Sequence, residues 1–196
     1  MHPTLPTPHA DPVAAALAGD SGALSGAPIW RGSRFEALHV HELDAIYRAR
    51  QQVFVLEQQC AYLDADGADS ASFHLTAWAS ASASASASAW ASAWSSPAPA
   101  SAPQVLAYAR IVPPGLKYAE ASIGRVLTLA AVRGTGLGHE LVRRAVAHTG
   151  HAFPGHAIRI SAQAHLQAFY RAAGFVSVGA VYLEDGIAHI EMLRAA

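Results

Sequence analysis

The amino-acid sequence predicts an α/β or α+β domain built around a mixed β-sheet. Short apolar segments of strand character alternate with segments of helical periodicity, first as strands and then in the order β-α-β-α-β-β. The chain has 196 residues, which corresponds to one domain with appendages. No internal repeat is visible, so a single sheet-based unit is predicted.

The predicted elements follow from residue periodicity and turn residues. Leu43, Ile46 and Val53 recur at the spacing of an amphipathic helix. Gly174 ends the last helix, and Glu184-Asp185-Gly186 forms the turn of a closing hairpin. The predicted strands are Trp30–Leu38, Phe73–Trp78, Val105–Val112, Ser122–Leu129, Ala157–Ala162, Phe175–Leu183 and Ile187–Leu193. The predicted helices are His41–Phe54, Gly136–Gly150 and His165–Ala173.

Two segments have compositions that do not support a packed core. Residues 1–28 are rich in Pro, Ala, Gly and His without apolar periodicity, so we predict a disordered leader. Residues 79–103 contain an Ala-Ser alternation that offers little for a strand to pack, so we predict a flexible loop insertion. Trp90 and Trp94 lie inside it. The folded domain is therefore predicted over residues 29–196.

Composition and charge exclude several classes of protein. The net charge is −1 and the pI is about 6.8, so binding to nucleic acid or to an anionic membrane is not predicted. No apolar run is long enough to span a membrane. Cys60 is the single cysteine and the N-terminus lacks a secretory signal, so we expect a cytoplasmic protein. The eleven histidines form no zinc motif, so no metal is predicted.

A glycine-rich turn precedes the second predicted helix. Its residues are Arg133, Gly134, Thr135, Gly136, Leu137 and Gly138. A strand, a glycine-rich turn and a helix start together direct free backbone N–H groups at an anion. His139 follows Gly138, which excludes a Walker A loop, and it also takes the position of the last glycine of a dinucleotide fingerprint. A glycine-rich helix start without a ligand remains an alternative at this point.

The spacing R-x-x-G-x-G in this turn resembles the pyrophosphate loop of the GNAT superfamily of N-acetyltransferases. Further blocks resemble its ElaA-type subfamily, and the segment Gln163–Phe175 resembles the family's F/L-Y-x-x-x-G-F motif. The blocks are Arg50–Cys60, Tyr108–Ile111, Ile123–Val126, Ala162–Gln167 and Glu184–Ile190. The resemblance implies a twisted, mixed and mostly antiparallel sheet, with splayed central parallel strands and flanking helices.

The resemblance also implies a site for acetyl-CoA. Its pantetheine arm would bond the backbone of Val126, Leu127 and Thr128, and its pyrophosphate would lie on the loop from Arg133 to Gly138. Gln163 stands where many members carry Asn. Tyr170 corresponds to the tyrosine near the thioester sulfur, which predicts a general acid, because a phenol with a pKa of about 10 is protonated at neutral pH. A core aromatic residue is the alternative for Tyr170.

Candidates for the general base come from residues in apolar surroundings. Glu57 is preferred, because it follows the apolar run Val53–Leu56, whose burial would raise its pKa toward neutrality. The alternative is an ordinary salt-bridge carboxylate. His74 and His189 are rivals in predicted strands, where structural hydrogen bonding is the alternative.

Other polar residues are expected to have structural roles. We expect three arginines to pair with the aspartates of the loop after Cys60, or one of them to bind an acidic group of the substrate. These are Arg50, Arg110 and Arg125, with Asp64, Asp66 and Asp69. Cys60 is expected to be an inert, partly buried thiol.

The predicted function is transfer of an acetyl group from acetyl-CoA to an amine by direct attack in a ternary complex. The alternative is a non-catalytic acyl-CoA-binding or sensor domain, and a dimeric structural module would leave the glycine loop unexplained. The expected partner is a small-molecule or peptide amine, and the chain is expected to be a monomer or homodimer.

Overall fold

The structure is a computed structural model that describes residues 26–80 and 104–196. Its seven strands form one sheet in the order β1-β2-β3-β4-β5-β7-β6, in which only the β4–β5 pair is parallel. The strands are β1 (Ile29–Arg34), β2 (Phe73–Trp78), β3 (Val105–Val112), β4 (Ala121–Thr128), β5 (Ile158–Gln163), β6 (Val176–Glu184) and β7 (Ile187–Arg194). The predicted mixed sheet is confirmed.

Within residues 26–80 and 104–196, three α-helices flank the sheet, and their bounds differ from the predicted ones by one to four residues. They are α1 (Val40–Arg50), α2 (Leu137–Ala152) and α3 (Gln167–Arg171). The predicted helix His41–Phe54 ends its α-helical part at Arg50 and continues as a π-helical segment, Gln51–Glu57. The first predicted strand ends at Arg34, because Phe35–Ala37 turns into a 3-10 helix.

The two faces of the sheet pack against different helices. One face buries Ile123 of β4 and Ile160 of β5 against Leu141 of α2. The other face covers β3 and β4 with α1 and the π-helical segment, and Tyr108 packs there against Val53. Burying large apolar side chains on both faces supplies most of the driving force for this three-layer arrangement.

The two predicted low-complexity segments lie largely or wholly outside the described residues. The leader, residues 1–28, is described only from residue 26, and residues 81–103 of the insertion are not described. The insertion joins β2 to β3, which are neighbours in the sheet. The backbone N–H of Ala79 donates to the carbonyl of Gln104 at 2.9 Å, so the hairpin closes at the base of the insertion.

Candidate active site

A cleft opens between β4 and β5 in the middle of the sheet. The two strands are paired at Ala121 with Ile158 and at Ser122 with Arg159, and the ladder stops there. The remaining six residues of β4 have no partner on β5, and four of them, Ile123, Gly124, Leu127 and Thr128, are paired with β3. Backbone groups near Val126 on this edge are therefore available to a ligand that enters between the strands, whereas the Thr128 carbonyl accepts from Arg133.

A β-bulge bends β4 where it leaves β5. Tyr108 of β3 lies opposite Leu127 and Arg110 opposite Gly124, so two steps on β3 match three on β4. The extra residue is accommodated at Arg125, whose φ of 53° lies in the left-handed region. Bulges of this kind turn a strand away from its neighbour and re-aim its backbone, which here widens the cleft.

The glycine loop lies at the wide end of this cleft. Gly136 is the N-cap of α2 with a φ of 88°, and no side chain caps the first turn of this helix. Gly134 also has a positive φ, of 78°, a conformation that side chains disfavour. A Cβ atom at Gly138 would lie 3.7 Å from the methyl group of Thr128 and from the Phe169 ring. The uncapped N–H groups and the positive end of the α2 dipole thus lie beside the end of β4.

Arg133 is held at the mouth of the cleft by two partners. Its guanidinium donates to the carbonyl of Thr128 at 3.0 Å, and it forms a bidentate pair with Glu57 at 2.5 and 2.9 Å. We call Glu57 and Arg133 the mouth pair. Their side chains are 35% and 42% exposed, so water competes with this interaction.

The burial predicted around Glu57 is wrong. In the run before it, Val53 and Phe54 are buried, whereas Val55 and Leu56 are exposed, because consecutive helical positions cannot all face the core. The carboxylate therefore fits the salt-bridge alternative in this structure. Its role as a base remains a prediction that no longer rests on desolvation.

A second contact crosses the mouth of the cleft. The side-chain amide of Gln163, at the end of β5, donates to the amide oxygen of Gln58 at 3.0 Å. Because Gln58 follows Glu57, the same segment contacts both walls of the cleft. Gln163 is therefore placed where it can reach a ligand in the cleft by exchanging its partner.

Tyr170 lies in the core beside the cleft. Its ring packs edge-on against Phe169 and Phe175, at centroid distances of 5.0 and 6.0 Å. Burial raises the pKa of Tyr170 to about 12. Within residues 26–80 and 104–196 no group forms a hydrogen bond with its hydroxyl, which leaves the O–H free to donate to a ligand.

The structure supports the structural alternative for His74. The side chain is 1% exposed, and its Nδ1 and Nε2 lie 2.8 Å from the Tyr108 hydroxyl and 2.9 Å from the Asp69 carbonyl. Burial lowers its pKa, so the ring is neutral at pH 7. With both nitrogens engaged, His74 has no free position for proton transfer with a substrate. His189 lies in β7 opposite Gln163, with Nδ1 2.9 Å from the Ile187 carbonyl.

Three arginines and three aspartates form a network under the bulge, buried at Arg50, Arg110, Asp64 and Asp69 and partly exposed at Arg125 and Asp66, which confirms their predicted pairing. We call them the arginine–aspartate network. The residues are Arg50, Arg110, Arg125, Asp64, Asp66 and Asp69. Arg50 is 0% exposed and donates to Asp64 and Asp69, at 2.8 Å each. Although burial raises the pKa of Asp66 and of Asp69, the hydrogen bonds from Arg110 outweigh it and lower both below the usual range.

The network fixes the loop after Cys60 against the sheet. Arg125, the bulge residue, donates to Asp64 at 2.7 Å and to Asp66 at 3.1 Å. The unusual conformation of the bulge is thus held by two carboxylates from a distant loop. Cys60 is buried, as expected, and burial raises the pKa of its thiol.

Sequence reasoning missed a polar cluster on the open face of β5. The Ser161 hydroxyl lies 2.6 Å from the Tyr182 hydroxyl and donates to Glu184 at 3.1 Å. The alternation of β5 places Ser161 on the same face as Gln163, so a period-two pattern could have indicated it. Within the two described segments, no group of three or more potential metal ligands is assembled, and no helix is long and apolar enough to cross a membrane.

Sequence comparison identifies a matching family and several relatives of this chain. The family described as acetyltransferase (GNAT) domain matches residues 105–195. A UPF0039 protein from Synechocystis is 37% identical over 164 residues, which cover 84% of this chain and 93% of that protein. The ElaA protein of Escherichia coli is 34% identical over 167 residues, which cover 84% and 95%. The chain belongs to the GNAT family and is of the ElaA type.

Solved structures place this GNAT protein among acyltransferases. An acyl-CoA N-acyltransferase from Pseudomonas aeruginosa matches with a TM-score of 0.71 and 38% identity, over 86% of this chain and 99% of that chain. The crystal structure of Escherichia coli ElaA matches with a TM-score of 0.70 and 32% identity, over 85% and 99%. The GNAT fold and the ElaA resemblance are confirmed, and acyl transfer is the activity that they support.

Proposed function

We propose that this GNAT protein transfers an acetyl group from acetyl-CoA to the amino group of a small molecule or peptide. The observation that carries the proposal is the cleft between β4 and β5, with the uncapped start of α2 at its wide end. A linear cofactor with an amide-rich arm and a pyrophosphate matches these two features, because strand edges bind amides and helix starts bind phosphates.

Acetyl-CoA supplies an activated carbonyl group at the thioester. In the proposed reaction the amine nitrogen bonds to the carbonyl carbon, the carbon–sulfur bond breaks, and one proton passes from the amine to the departing thiolate. No covalent bond to the enzyme is required. The unpaired N–H groups of β4 near Val126 would polarise the carbonyl oxygen as fixed dipoles.

In this proposal two side chains would carry out the proton transfers. Tyr170 would donate to the thiolate, since its hydroxyl is protonated at neutral pH and has no other partner among the described residues. Glu57 would accept the amine proton, directly or through water, after Arg133 turns to the pyrophosphate. His74 is not proposed, because hydrogen bonds occupy both of its ring nitrogens.

The proposal is tested by thiol release from acetyl-CoA with a panel of amines. We expect release with at least one amine, and we expect Tyr170→Phe to lower kcat by about 10²-fold while leaving acetyl-CoA affinity within a factor of about three. Equal loss of turnover and affinity would contradict the acid role. Tight acetyl-CoA binding without release for any amine would favour the sensor alternative.

Cellular location and assembly remain predictions at this stage. The single cysteine and its buried thiol support a reducing compartment such as the cytoplasm. The chain is expected to act as a monomer or homodimer, which sedimentation of the purified protein would establish.

A further inference from the structure

A cavity of about 470 Å³ lies beside the connection between β3 and β4. Asp66, Arg110 and Lys117 supply its charged groups, and Leu116 supplies part of its apolar wall. It has no part in the cofactor site described above, which lies at the other end of β4. A ligand other than the cofactor could therefore bind in this cavity.

Arg110 has a buried donor without an acceptor in this cavity. Its side chain is 2% exposed, and Nη1 and Nη2 both donate to Asp66 at 2.6 Å, while Nη1 also donates to Asp69 at 2.8 Å. Its Nε finds no partner within residues 26–80 and 104–196. Buried donors are nearly always satisfied, so this one indicates a ligand from outside. A carboxylate fits the chemistry of this donor, because carboxylates accept charge-assisted hydrogen bonds from guanidinium groups, and Nε is the guanidinium nitrogen of Arg110 that lacks an acceptor among the described residues.

Lys117 adds a positive charge to the same cavity. It is the one lysine of the chain, and its ammonium lies 5.4 Å from the centre of the Tyr118 ring. The Lys117 side chain is exposed to solvent. Glu184 and Asp66 attract its ammonium, whereas Arg125 and Arg110 repel it, so an additional anion would stabilise the charge.

The charge balance of the surroundings also favours an anion. The three arginines of the arginine–aspartate network are matched by its three aspartates, and Asp66 receives hydrogen bonds from both Arg110 and Arg125. Lys117 forms no ion pair with any described residue, although the Glu184 carboxylate is near enough to act on its charge, so its ammonium lacks a direct anionic partner. A neutral amide or an apolar group would not compensate this charge.

The cavity is placed to hold one end of an acceptor. Arg110 lies opposite Gly124 of β4, between Ser122, the last residue paired with β5, and the bulge residue Arg125. A group held by Arg110 is therefore beside the point where the cleft begins. The remainder of a small acceptor could reach from there into the cleft.

We propose that the cavity binds the carboxylate of the acceptor through Arg110 Nε and Lys117, so that the amine substrate is an amino acid. This inference rests on the proposed acetyl transfer for its meaning, although the carboxylate site can be tested without turnover. In amino acids, a short spacer of variable length separates the amine from the carboxylate. The spacer length of the acid that binds most tightly would report the distance between the cavity and the thioester.

The test measures ligand binding in the presence of CoA, which has no acyl group to transfer. The probes are the free α-amino acids and 4-aminobutyrate, each compared with its carboxamide in thermal melting and then in calorimetry. We expect at least one acid to bind about tenfold or more tightly than its amide, as for a hydrogen-bonded charge pair. Acids and amides that bind alike, or the absence of any melting shift with the acids, would overturn the proposal.

Variants of Lys117 make the test specific, because this exposed loop residue is outside the packed core. Lys117→Met should remove most of the preference for the acid, and Lys117→Arg should retain it. Arg48→Met removes an exposed cation of α1 and serves as the matched control, with the preference unchanged. A preference that survives Lys117→Met would contradict the assignment.

Failure of the proposed transfer would look different from failure of the carboxylate site. It would appear as the absence of thiol release from acetyl-CoA with every amine, while the preference for acids over amides persists in binding. Failure of the carboxylate site would appear as thiol release that is equally fast with an acid and its amide.

Discussion

The arginine–aspartate network and the mouth pair use the same chemistry in opposite environments. Arg50 is fully buried and donates to Asp64 and Asp69, whereas Arg133 and Glu57 meet at the surface with more than a third of each side chain exposed. A buried charge cannot lose its partner without a large desolvation cost, while an exposed one can exchange its partner for water or a ligand. The first set therefore fixes the β4 bulge, and the second is free to exchange its partner for a ligand.

The largest effect is expected when the network loses a cation. Arg50→Met leaves Asp64 and Asp69 short of a buried partner, so the free energy of unfolding should fall by about 3–5 kcal/mol. Urea denaturation measures this change. Arg48→Met, on the exposed side of α1, should alter it by less than about 0.5 kcal/mol. A loss below about 1 kcal/mol for Arg50→Met would show that the network is not essential to the fold.

The next largest effect is expected at the glycine loop. Gly136→Glu places a negative charge at the uncapped start of α2, so acetyl-CoA affinity should fall by about a hundredfold or more. Gly136→Ala is the matched control, since it imposes the same backbone strain at positive φ without the charge. Calorimetry compares the two variants. Similar affinities for the two variants would indicate that the pyrophosphate does not bind at this loop.

Acid unfolding should report the network and not the mouth pair. The lowered pKa values of Asp66 and Asp69 mean that, as the pH falls below the ordinary carboxyl pKa of about 4, the unfolded state takes up protons first. The contribution of Asp66 and Asp69 to stability should therefore be constant from pH 7 to about 5 and then decline as the pH falls further. His74, whose pKa is lowered by burial, adds a separate loss that begins below about pH 6.5. Asp66→Asn should flatten this decline, and Glu57→Gln should leave it unchanged. A decline that Glu57→Gln flattens and Asp66→Asn leaves unchanged would contradict the different roles of the network and the mouth pair.

The smallest effect on stability is expected at the mouth pair itself. Glu57→Gln should change the free energy of unfolding by less than about 1 kcal/mol, because the pair is exposed. Acetyl-CoA affinity should not decrease, since Arg133 is then free for the pyrophosphate. If Glu57 also accepts the amine proton, kcat should fall by about 10²-fold at neutral pH. An unchanged kcat would show that Glu57 does not act as the base and only forms the salt bridge.

Local patterns were sufficient to predict most of the sheet and the glycine-rich turn before α2. All seven strands were predicted within a few residues, and β2 and β3 have the predicted bounds, because alternation and turn residues act over short distances. The loop from Arg133 to Gly138 was visible because glycine at fixed positions is required by the backbone itself.

Long-range contacts explain what the sequence did not predict. The bonding of His74 depends on the Tyr108 hydroxyl, 34 positions away, and the environment of Glu57 depends on Arg133, 76 positions away. The unpaired Nε of Arg110 depends on how one guanidinium is shared between two aspartates. The π-helical turn after Arg50 also has no signal in the apolar periodicity.

The other proposals depend on the binding of an acyl-CoA in the cleft between β4 and β5. Thermal melting of the purified chain with acetyl-CoA, CoA, NAD and ATP tests it most directly, because a ligand that binds only the folded state raises the melting temperature. We expect a rise with acetyl-CoA and CoA that is absent in Gly136→Glu and far smaller with NAD and ATP. No rise with either CoA ligand, or an equal rise with NAD, would contradict it.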